Sequence, residues 1–522
     1  MSPLARTGRP HGLGRADATV TEVRVATGRL RGIAERGVLA WRGIPYAAAP
    51  VGDLRFRAPK PAEPWTGVRD AGGWGPAAPQ LRRGQFIGAH PRIPQSEDCL
   101  NLNVLVPDAP VDPAALLPVM VFIHGGAYSV GSSREYPRQG EGLVRRGGVV
   151  YVSLNYRLGA LGYLDFSRFS TPTRPLESNL GLRDQVAALR WVSENIRAFG
   201  GDPDAVTLFG ESAGGNAVTT LMTVPAAAGL FHRAIAQSAP PNAVYPSELS
   251  AEWAGRFVEI LRGIVGGDAD ATSLLINADP LSLAAATAVL TAEAPDAYPG
   301  TNPLCPVIDG DFLPERPLDS FRDGRAHRVP LIIGTNEREG SLFSGRIDIL
   351  ASTPTRIRGI FTKTKKKARK ELTSHYPGLP GQRAGLDFGG DYAFWYPSVR
   401  VGERHSRYAP VHFYRFDAAP VLLRRMGLDA THGLEMFPLF DRLDGWFGRG
   451  MTALGGRRAF QEIGVRMQGW WTEFAHSGVP DADWPGYEER ERRTLIIDAV
   501  DRVESDPLGD RRRAWGAFVP HV

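Results

Sequence analysis

A serine flanked by glycines is the sequence feature with the clearest chemistry. Gly210-Glu-Ser-Ala-Gly214 fits the pattern G-x-S-x-G, in which the serine stands on a sharp turn between a strand and a helix and exposes its hydroxyl above a sheet. The chain has 60 glycines, so the pattern carries weight only with a strand before it and a helix after it. Both are predicted here. Ser212 is therefore the candidate nucleophile, and a packing turn of small residues is the alternative.

A second glycine-containing segment, His124-Gly-Gly-Ala-Tyr128, follows an apolar run that ends at Ile123. Backbone N–H groups in such a loop can converge on one point and stabilise the negative oxygen of a tetrahedral intermediate. The N–H groups of Gly126 and Ala127, with that of Ala213 after the serine, are the candidate oxyanion hole. An ordinary tight turn is the alternative for this loop, and His124 is predicted to be structural.

Strands and helices alternate in the segment that must position these groups. An amphipathic helix is predicted over residues 182–196 and another over 458–476. Short apolar runs predict buried strands at residues 118–123, 149–154, 205–209 and 331–333. The alternation indicates an α/β fold with a large, mostly parallel central sheet and helices on both faces. Within the first 60 residues, alternating segments separated by glycines predict antiparallel strands at one edge of the sheet.

The chain is predicted to form one catalytic domain over residues 19–522. Residues 1–18 contain Arg, Gly and Pro but no apolar segment, which predicts a flexible N-terminal tail. Helical insertions at about 240–330 and 340–460 are expected to cover the active site at the carboxyl ends of the strands. No run of 18 apolar residues occurs, so no membrane-spanning helix is predicted.

Charge and composition narrow the possible partners. Hydrophobic residues make up 43% of the chain and charged residues 22%, which is typical of a globular protein. Six of the positive charges behind the net charge of +5 lie between Lys363 and Lys370, and the rest of the chain is close to neutral. A nucleic-acid surface is therefore not predicted. The basic run is interpreted as a solvated face, with an anionic docking site as the alternative.

The two cysteines, Cys99 and Cys305, are predicted to be free thiols. No Cys/His cluster has the spacing of zinc ligands, and neither a metal ion nor a cofactor is predicted. Free thiols are usual in a reducing compartment, so the expected location is the cytoplasm.

Five segments carry residues typical of one family. They are Arg42-Gly-Ile-Pro-Tyr46, Glu97-Asp-Cys-Leu-Asn-Leu-Asn-Val104, Asn155-Tyr-Arg-Leu-Gly-Ala-Leu-Gly162, Asn179-Leu-Gly-Leu-Arg-Asp-Gln185 and Phe199-Gly-Gly-Asp-Pro-Asp-Ala-Val-Thr-Leu-Phe-Gly-Glu-Ser-Ala-Gly214. The chain resembles the type-B carboxylesterases, the α/β-hydrolase group that includes the cholinesterases and the bacterial para-nitrobenzyl esterases. Asn101 stands where an aromatic residue or Thr is usual. The resemblance implies the α/β-hydrolase fold and ester hydrolysis.

The resemblance also places the partners that Ser212 needs. In Gly334-Thr-Asn-Glu-Arg-Glu-Gly340, the family block implies Glu339 as the acid, although spacing alone leaves Glu337 as a rival. The block Ala430-Thr-His-Gly-Leu-Glu435 implies His432 as the base. The order Ser, Glu, His is the one expected on this fold. His405, His412 and His476 are interpreted as ordinary surface or core residues.

Supporting residues follow from the resemblance alone. Glu211 is expected to tune His432, and Ser238 is expected to hydrogen-bond Glu339. The pairs Arg55 with Glu97 and Arg157 with Asp184 resemble the family's structural ion pairs, with solvated surface charges as the alternative. Many secreted members bridge the position of Cys99 to an upstream cysteine, but residues 1–98 contain none.

Four aromatic residues are the candidate lining of the substrate pocket, and ordinary core packing is the alternative for each. They are Tyr128, Phe343, Trp395 and Tyr396. Because an apolar pocket disfavours charge, we expect an uncharged apolar or aryl ester as the small-molecule substrate. The protein is expected to act as a monomer or small homo-oligomer.

The leading hypothesis is a serine hydrolase that cleaves carboxylic esters through an acyl-enzyme intermediate. The first alternative is acyl transfer or cyclisation by the same triad, giving a lactone, a lactam or a transfer product in a biosynthetic pathway. The second is a non-catalytic interaction protein, a class that usually loses the serine or its partners.

Overall fold

The computed structural model describes residues 21–81, 89, 92–108, 115–136, 138–343 and 349–519. The predicted flexible tail, residues 1–18, lies outside the described residues. Among the described helices, none alone is long and apolar enough to cross a bilayer. The helices Ala271–Asn277 and Pro280–Ala297, bent by 117°, meet that requirement only when taken together.

The strands are, in chain order, β1 Glu22–Val25, β2 Gly28–Arg31, β3 Ile33–Glu35, β4 Val38–Pro45, β5 Val68–Asp70, β6 Asn101–Pro107, β7 Leu117–Ile123, β8 Val150–Leu154, β9 Gly201–Glu211, β10 Arg233–Gln237, β11 Tyr245–Pro246, β12 Val307–Ile308, β13 Leu331–Asn336, β14 Val411–Phe416, β15 Arg493–Ile497 and β16 Arg502–Ser505. The four strands predicted around residues 118, 149, 205 and 331 are confirmed as β7, β8, β9 and β13.

The helices are α1 Glu141–Gly147, α2 Ala160–Tyr163, α3 Leu180–Asn195, α4 Ala213–Leu221, α5 Ser247–Val265, α6 Ala271–Asn277, α7 Pro280–Ala297, α8 Pro317–Asp323, α9 Pro354–Ile360, α10 Lys366–Ser374, α11 Gln382–Gly390, α12 Tyr396–His405, α13 Val421–Arg425, α14 Met436–Leu439, α15 Trp446–Met451, α16 Arg457–Ser477 and α17 Gly509–Gly516. The two predicted amphipathic helices are confirmed as α3 and α16. A π turn at Asp391–Trp395 precedes α12.

Eleven strands form the central sheet in the order β16-β15-β14-β13-β10-β9-β7-β8-β6-β4-β3. The strands from β8 to β15 pair in parallel, and the two edges are antiparallel. This arrangement confirms the predicted mostly parallel sheet. The parallel strands end at the same edge, which is where open α/β sheets bind ligands.

Side chains on the central strands alternate between two cores. Val119, Val121 and Ile123 of β7 join the core that contains α3. Met120 and Phe122, between them in sequence, join the core that contains α16. The alternation follows from the two-residue repeat of a strand, and it explains why β7 is apolar along its whole length: a strand with a helical layer on each face has no solvent side.

The predicted antiparallel strands at one edge of the central sheet are confirmed for β3 and β4, but β1 and β2, which lie before them in the chain, belong to a second sheet. Strands β1 and β2 pair with β5 in a separate three-stranded sheet, whereas β3 and β4 form the edge of the central sheet. The division occurs at Gly32, where a Cβ atom would lie 2.6 Å from the indole nitrogen of Trp41. Glycine therefore permits a close approach at the point where the chain changes sheets.

Helices dominate both predicted insertions. Helices α5 to α8 lie within residues 240–330, and α9 to α15 lie within 340–460. The second insertion is not purely helical, because β14 runs through it in the central sheet. The predicted basic run lies at the start of α10, where Lys365, Lys366 and Lys367 are exposed.

Candidate active site

Ser212 stands on the predicted turn between β9 and α4. Its backbone has φ 57° and ψ −120°, a conformation that costs energy for any residue other than glycine and that recurs at functional sites. Neighbouring backbone holds the turn: the Ser212 N–H donates to the Gln237 carbonyl at 2.9 Å, and the Asn216 N–H donates to the Ser212 carbonyl at 2.9 Å. The strain is therefore fixed by β10 on one side and by α4 on the other.

The flanking glycines are required by close packing. A Cβ atom at Gly214 would lie 2.1 Å from the carbonyl oxygen of Ile123, and one at Gly210 would lie 2.6 Å from the carbonyl carbon of Gly214. These distances are far shorter than van der Waals contact. Side chains at these two positions would therefore collide with neighbouring backbone.

The loop after β7 is tightly wound. Gly126, Ala127 and Tyr128 all have positive φ angles, of 107°, 51° and 57°. No residue in the described part of the chain accepts a hydrogen bond from the N–H of Gly126 or Ala127. Ala213 is the first residue of α4, where helix N–H groups have no intrahelical acceptor. Three donors are thus unused next to the serine.

His124 anchors this loop. Its ring stacks on Tyr156 with 4.4 Å between ring centroids, and the Tyr156 hydroxyl donates to the His124 carbonyl at 2.7 Å. Burial lowers the pKa of His124 to about 4, because the charged ring would lose its water. A neutral, packed imidazole of this kind agrees with the predicted structural role.

The structure brings Glu339, and not Glu337, to the imidazole of His432. Nδ1 of His432 lies 2.6 Å from Oε2 of Glu339, and the Asn336 N–H donates to Oε1 of the same carboxylate at 2.6 Å. Both side chains are buried. Glu337 instead lies beside Arg424 at 3.9 Å, with 36% of its side chain exposed.

The other ring nitrogen of His432 faces the serine's neighbourhood. Nε2 lies 3.3 Å from Oε1 of Glu211 but makes no hydrogen bond with any residue that the structure describes. Ser212 and His432 line the same cavity. Phe343 and Phe394 hold the ring from the side, with centroids 5.1 Å and 4.5 Å from it.

Neighbouring carboxylates raise the pKa of His432, and burial raises the pKa of Glu211. Burial acts to lower the pKa of His432, but Glu211 and Glu339 together outweigh it and raise that pKa to about 9. Burial also raises the pKa of Glu211 to about 8, against the lowering effect of the imidazole. The imidazole and the Glu211 carboxyl therefore titrate as a coupled pair in the mildly alkaline range.

The prediction that Ser238 hydrogen-bonds Glu339 is wrong. The Ser238 hydroxyl instead donates to Oε1 of Glu435 at 3.3 Å. The side-chain amide of Asn336 donates to Oε2 of Glu435 at 2.5 Å. Burial raises the pKa of Glu435 to about 7, and the charge of Glu339 adds to the effect. Ser238 therefore has Glu435, and not Glu339, as its partner. It stands three residues after His432 in the quoted block, a signal that could have pointed to it.

A cavity of about 1940 Å³ opens over the serine. Gly126, Ala127 and Ala213 line it, as do the predicted pocket residues Tyr128 and Phe343. The Tyr128 ring stacks on Tyr163, and its hydroxyl donates to Asn216 Oδ1 at 2.6 Å. The candidate oxyanion donors and two of the four predicted aromatic residues therefore share one space with Ser212.

The prediction for Trp395 and Tyr396 is wrong. Trp395 packs in the core, and Tyr396 stacks on Trp515 with 5.6 Å between centroids. Tyr392 and Phe394 line the cavity in their place. Tyr392 and Phe394 belong to the π turn at Asp391–Trp395, in which the spacing of side chains differs from that of an α-helix.

Both predicted ion pairs are present. Arg157 and Asp184 are fully buried and 2.7 Å apart, and Arg55 lies 2.5 Å from Glu97. Cys99 and Cys305 are both buried and free. The described residues contain no group of three or more His, Cys, Asp or Glu side chains that could hold a metal ion.

Comparison with known proteins decides the family. The model of the carboxylesterase family matches residues 19–515. The chain belongs to the carboxylesterase family. It is 38% identical to a para-nitrobenzyl esterase of Bacillus subtilis, over 93% of this chain and 96% of the relative. It is also 32% identical to a phenmedipham hydrolase of Pseudarthrobacter oxydans, over 90% and 93% of the two chains.

Solved structures of the carboxylesterase family have the same fold. A thermophilic para-nitrobenzyl esterase structure superposes with a TM-score of 0.84 at 36% identity, over 95% of this chain and all of the other. Another para-nitrobenzyl esterase structure gives a TM-score of 0.82 over 96% of this chain. The fold is thus the predicted α/β-hydrolase fold, and the protein is a serine hydrolase that cleaves carboxylic esters.

Proposed function

We propose that Ser212, His432 and Glu339 are the catalytic triad of this esterase. The observation that carries the proposal is the 2.6 Å contact between Nδ1 of His432 and Glu339, which leaves Nε2 on the side of the cavity that Ser212 lines. A carboxylate at Nδ1 fixes the tautomer in which Nε2 is the base. Glu performs this role as well as Asp, because the carboxylate orients the ring and takes no proton from it.

The reaction takes two steps at one carbonyl carbon. His432 Nε2 removes the hydroxyl proton while Ser212 Oγ bonds to the ester carbon, and the tetrahedral intermediate collapses as the imidazolium protonates the leaving alkoxide. Water then attacks the acyl-enzyme with the same base. The acid is released, the proton returns to Ser212, and neither metal nor cofactor is needed.

The N–H groups of Gly126, Ala127 and Ala213 are proposed as the oxyanion hole. Two observations support this assignment. No described residue accepts a hydrogen bond from the N–H of Gly126 or Ala127, and Ala213 is the first residue of α4. Donors that are fixed before the reaction stabilise the developing negative charge without reorganisation. Loss of one such donor typically costs about 3–4 kcal/mol of transition-state stabilisation.

An uncharged apolar or aryl ester is the proposed substrate. Aromatic and aliphatic side chains, including Tyr128, Phe343, Tyr392 and Phe394, form much of the cavity wall. A charged group in such a wall would lose its hydration without compensation. The names of the two bacterial relatives, a para-nitrobenzyl esterase and a phenmedipham hydrolase, agree with aryl-containing substrates. Water is proposed as the acyl acceptor, in preference to lactone, lactam or transfer chemistry.

Turnover of 4-nitrophenyl esters by the purified protein tests the proposal. We expect hydrolysis with release of one acid per alcohol, and we expect Ser212→Ala to lower kcat by about 10⁴-fold or more, because the nucleophile is lost. Equal turnover by the variant would contradict the assignment. An acyl product other than the free acid would indicate transfer instead of hydrolysis.

The proposed setting is the cytoplasm, with the protein acting as a monomer or small homo-oligomer on small molecules. The two free, buried cysteines support a reducing compartment. A disulfide between Cys99 and Cys305 in protein isolated without reductant would contradict this location. Light scattering of the purified protein would measure the oligomeric state.

A further inference from the structure

Large apolar side chains are exposed around the mouth of the active-site cavity. Trp446 at the start of α15 is 79% exposed, and Met426 just after α13 is 63% exposed. Val421 and Leu454 are exposed close to them, and a Cβ atom at Gly455 would lie 3.7 Å from Cγ2 of Val421. We call Val421, Met426, Trp446 and Leu454 the apolar rim.

The apolar rim continues into the cavity. Met426 and Trp446 line the same space as Ser212, together with the less exposed Leu422 and Met451 of the same two helices. Single exposed apolar residues are ordinary on protein surfaces, but a group of them around a binding site marks an interaction surface. A Trp exposed this far gains more than most residues from a surface that is apolar on one side and wet on the other.

Unpaired positive charge borders the apolar rim. Arg425 and Arg449 are exposed, and neither guanidinium makes an ion pair or hydrogen bond with any described residue. Other arginines nearby have acidic partners: Arg424 lies 3.9 Å from Glu337, and Arg457 pairs with Asp444. The charged side chains at the rim that have no described acidic partner, Arg425 and Arg449, are therefore positive.

We propose that the apolar rim docks the esterase on an anionic lipid surface. Aromatic and aliphatic side chains enter the boundary between headgroups and acyl chains, and arginines attract the negative surface. Docking places the cavity mouth against the layer that holds amphiphilic esters, so such a substrate reaches Ser212 without crossing bulk water. This last consequence rests on the proposed function, whereas docking itself does not require turnover.

A second copy of the chain fits this face less well. In a symmetric dimer the same patch meets itself, so Arg425 and Arg449 would be brought near their own counterparts. No described acidic residue at the rim is free to offset that repulsion, because Glu337 and Asp444 are already beside arginines. An anionic lipid surface would instead attract Arg425 and Arg449.

Flotation of the full chain with phospholipid vesicles tests the inference. We expect the protein to float with phosphatidylcholine vesicles that contain phosphatidylglycerol, and less with phosphatidylcholine alone. Met426→Ser combined with Trp446→Ser should lower the partition constant at least about tenfold, because two large apolar side chains no longer enter the boundary. Arg425→Gln and Arg449→Gln should each lower it about fivefold on the anionic vesicles only.

Val500→Ser is the matched control, since Val500 is 80% exposed and is not part of the rim. It should float like the wild type. Ser212→Ala should also float normally, so that loss of hydrolysis and loss of docking are separate results. The inference is overturned if the wild type does not bind anionic vesicles at low salt or if Val500→Ser loses binding equally. A dimer that the Met426/Trp446 variant abolishes would also overturn it, because a second copy would then cover the rim.

Discussion

Carboxylates on both sides of one imidazole decide the chemistry at the scale of the residue. Glu339 contacts Nδ1 of His432 at 2.6 Å, and Glu211 lies 3.3 Å from Nε2. The first contact leaves Nε2 as the candidate base. The second stabilises the protonated ring, so it favours the uptake of a proton by His432 and raises the pKa of the ring.

Glu337 and Glu339 provide a matched pair of variants for testing which glutamate is the acid of the proposed triad. Glu339→Gln should lower kcat about 10³-fold or more, because an amide no longer holds the productive tautomer or stabilises the imidazolium. Glu337→Gln should leave kcat nearly unchanged, since Glu337 lies beside Arg424 and away from the ring. Steady-state kinetics on a nitrophenyl ester measure both, and the reverse pattern would move the acid to Glu337.

Glu211→Gln should shift the pH dependence of kcat/KM. His432, as the proposed base, accepts a proton only when it is neutral, so we expect activity to rise as pH passes through its pKa, which neighbouring carboxylates raise to about 9. Removal of the Glu211 charge stabilises the protonated ring less and lowers that pKa. The rise in kcat/KM should therefore move to lower pH. An unchanged profile, or a move to higher pH, would show that Glu211 does not act on His432.

At the scale of the element, the sharp turns after the strands, more than the regular helices and strands, determine where the candidate reactive groups lie. Ser212 and the loop of Gly126 and Ala127 have positive φ angles, and both turns follow strands that end at the same edge of the sheet. The glycines beside them allow carbonyl groups to approach within a distance that no side chain permits. The turns thus hold reactive groups in place through packing against β7 and β10.

Gly214→Ala should destabilise the fold, whereas Gly469→Ala should not. The new methyl group at 214 would lie 2.1 Å from the Ile123 carbonyl oxygen, while nothing lies within 4 Å of the corresponding position at 469 in α16. We expect a loss of about 3 kcal/mol or more in the free energy of unfolding for the first. The second should gain about 0.5–1 kcal/mol, because alanine favours the helix. Urea denaturation compares the two, and equal stabilities would contradict the packing argument.

Sequence patterns predicted regular elements well and irregular ones poorly. The continuous apolar run of β7 and the three-and-four spacing in α3 reflect burial against neighbouring layers, which a sequence records directly. The π turn before α12 has no such period, and the residues of this segment that line the cavity include Tyr392 and Phe394 but neither Trp395 nor Tyr396. The bond from Ser238 to Glu435 was also missed, because a side chain's partner across the fold depends on distances that no local pattern contains.

At the scale of the whole molecule, the sheet joins groups that are far apart in the chain. Ser212 follows β9, Glu339 follows β13, and His432 follows β14, and these strands lie within four neighbouring positions of the sheet. The order Ser, Glu, His could be read from the sequence because it reflects this strand order. The shape of the cavity could not be predicted from the sequence, since helices from separate insertions build it together. The apolar rim could not be predicted either, because it depends on how α13 and α15 pack beside each other.

Covalent trapping by an alkyl fluorophosphonate, with the label located by peptide mass spectrometry, would show most directly whether Ser212 is the nucleophile. We expect one equivalent of label per folded chain, all of it on Ser212. Labelling should be slowed strongly by His432→Ala and absent from the unfolded protein. Label on another residue, or none on a protein that hydrolyses esters, would contradict the claim that the fold turns Ser212 into the nucleophile.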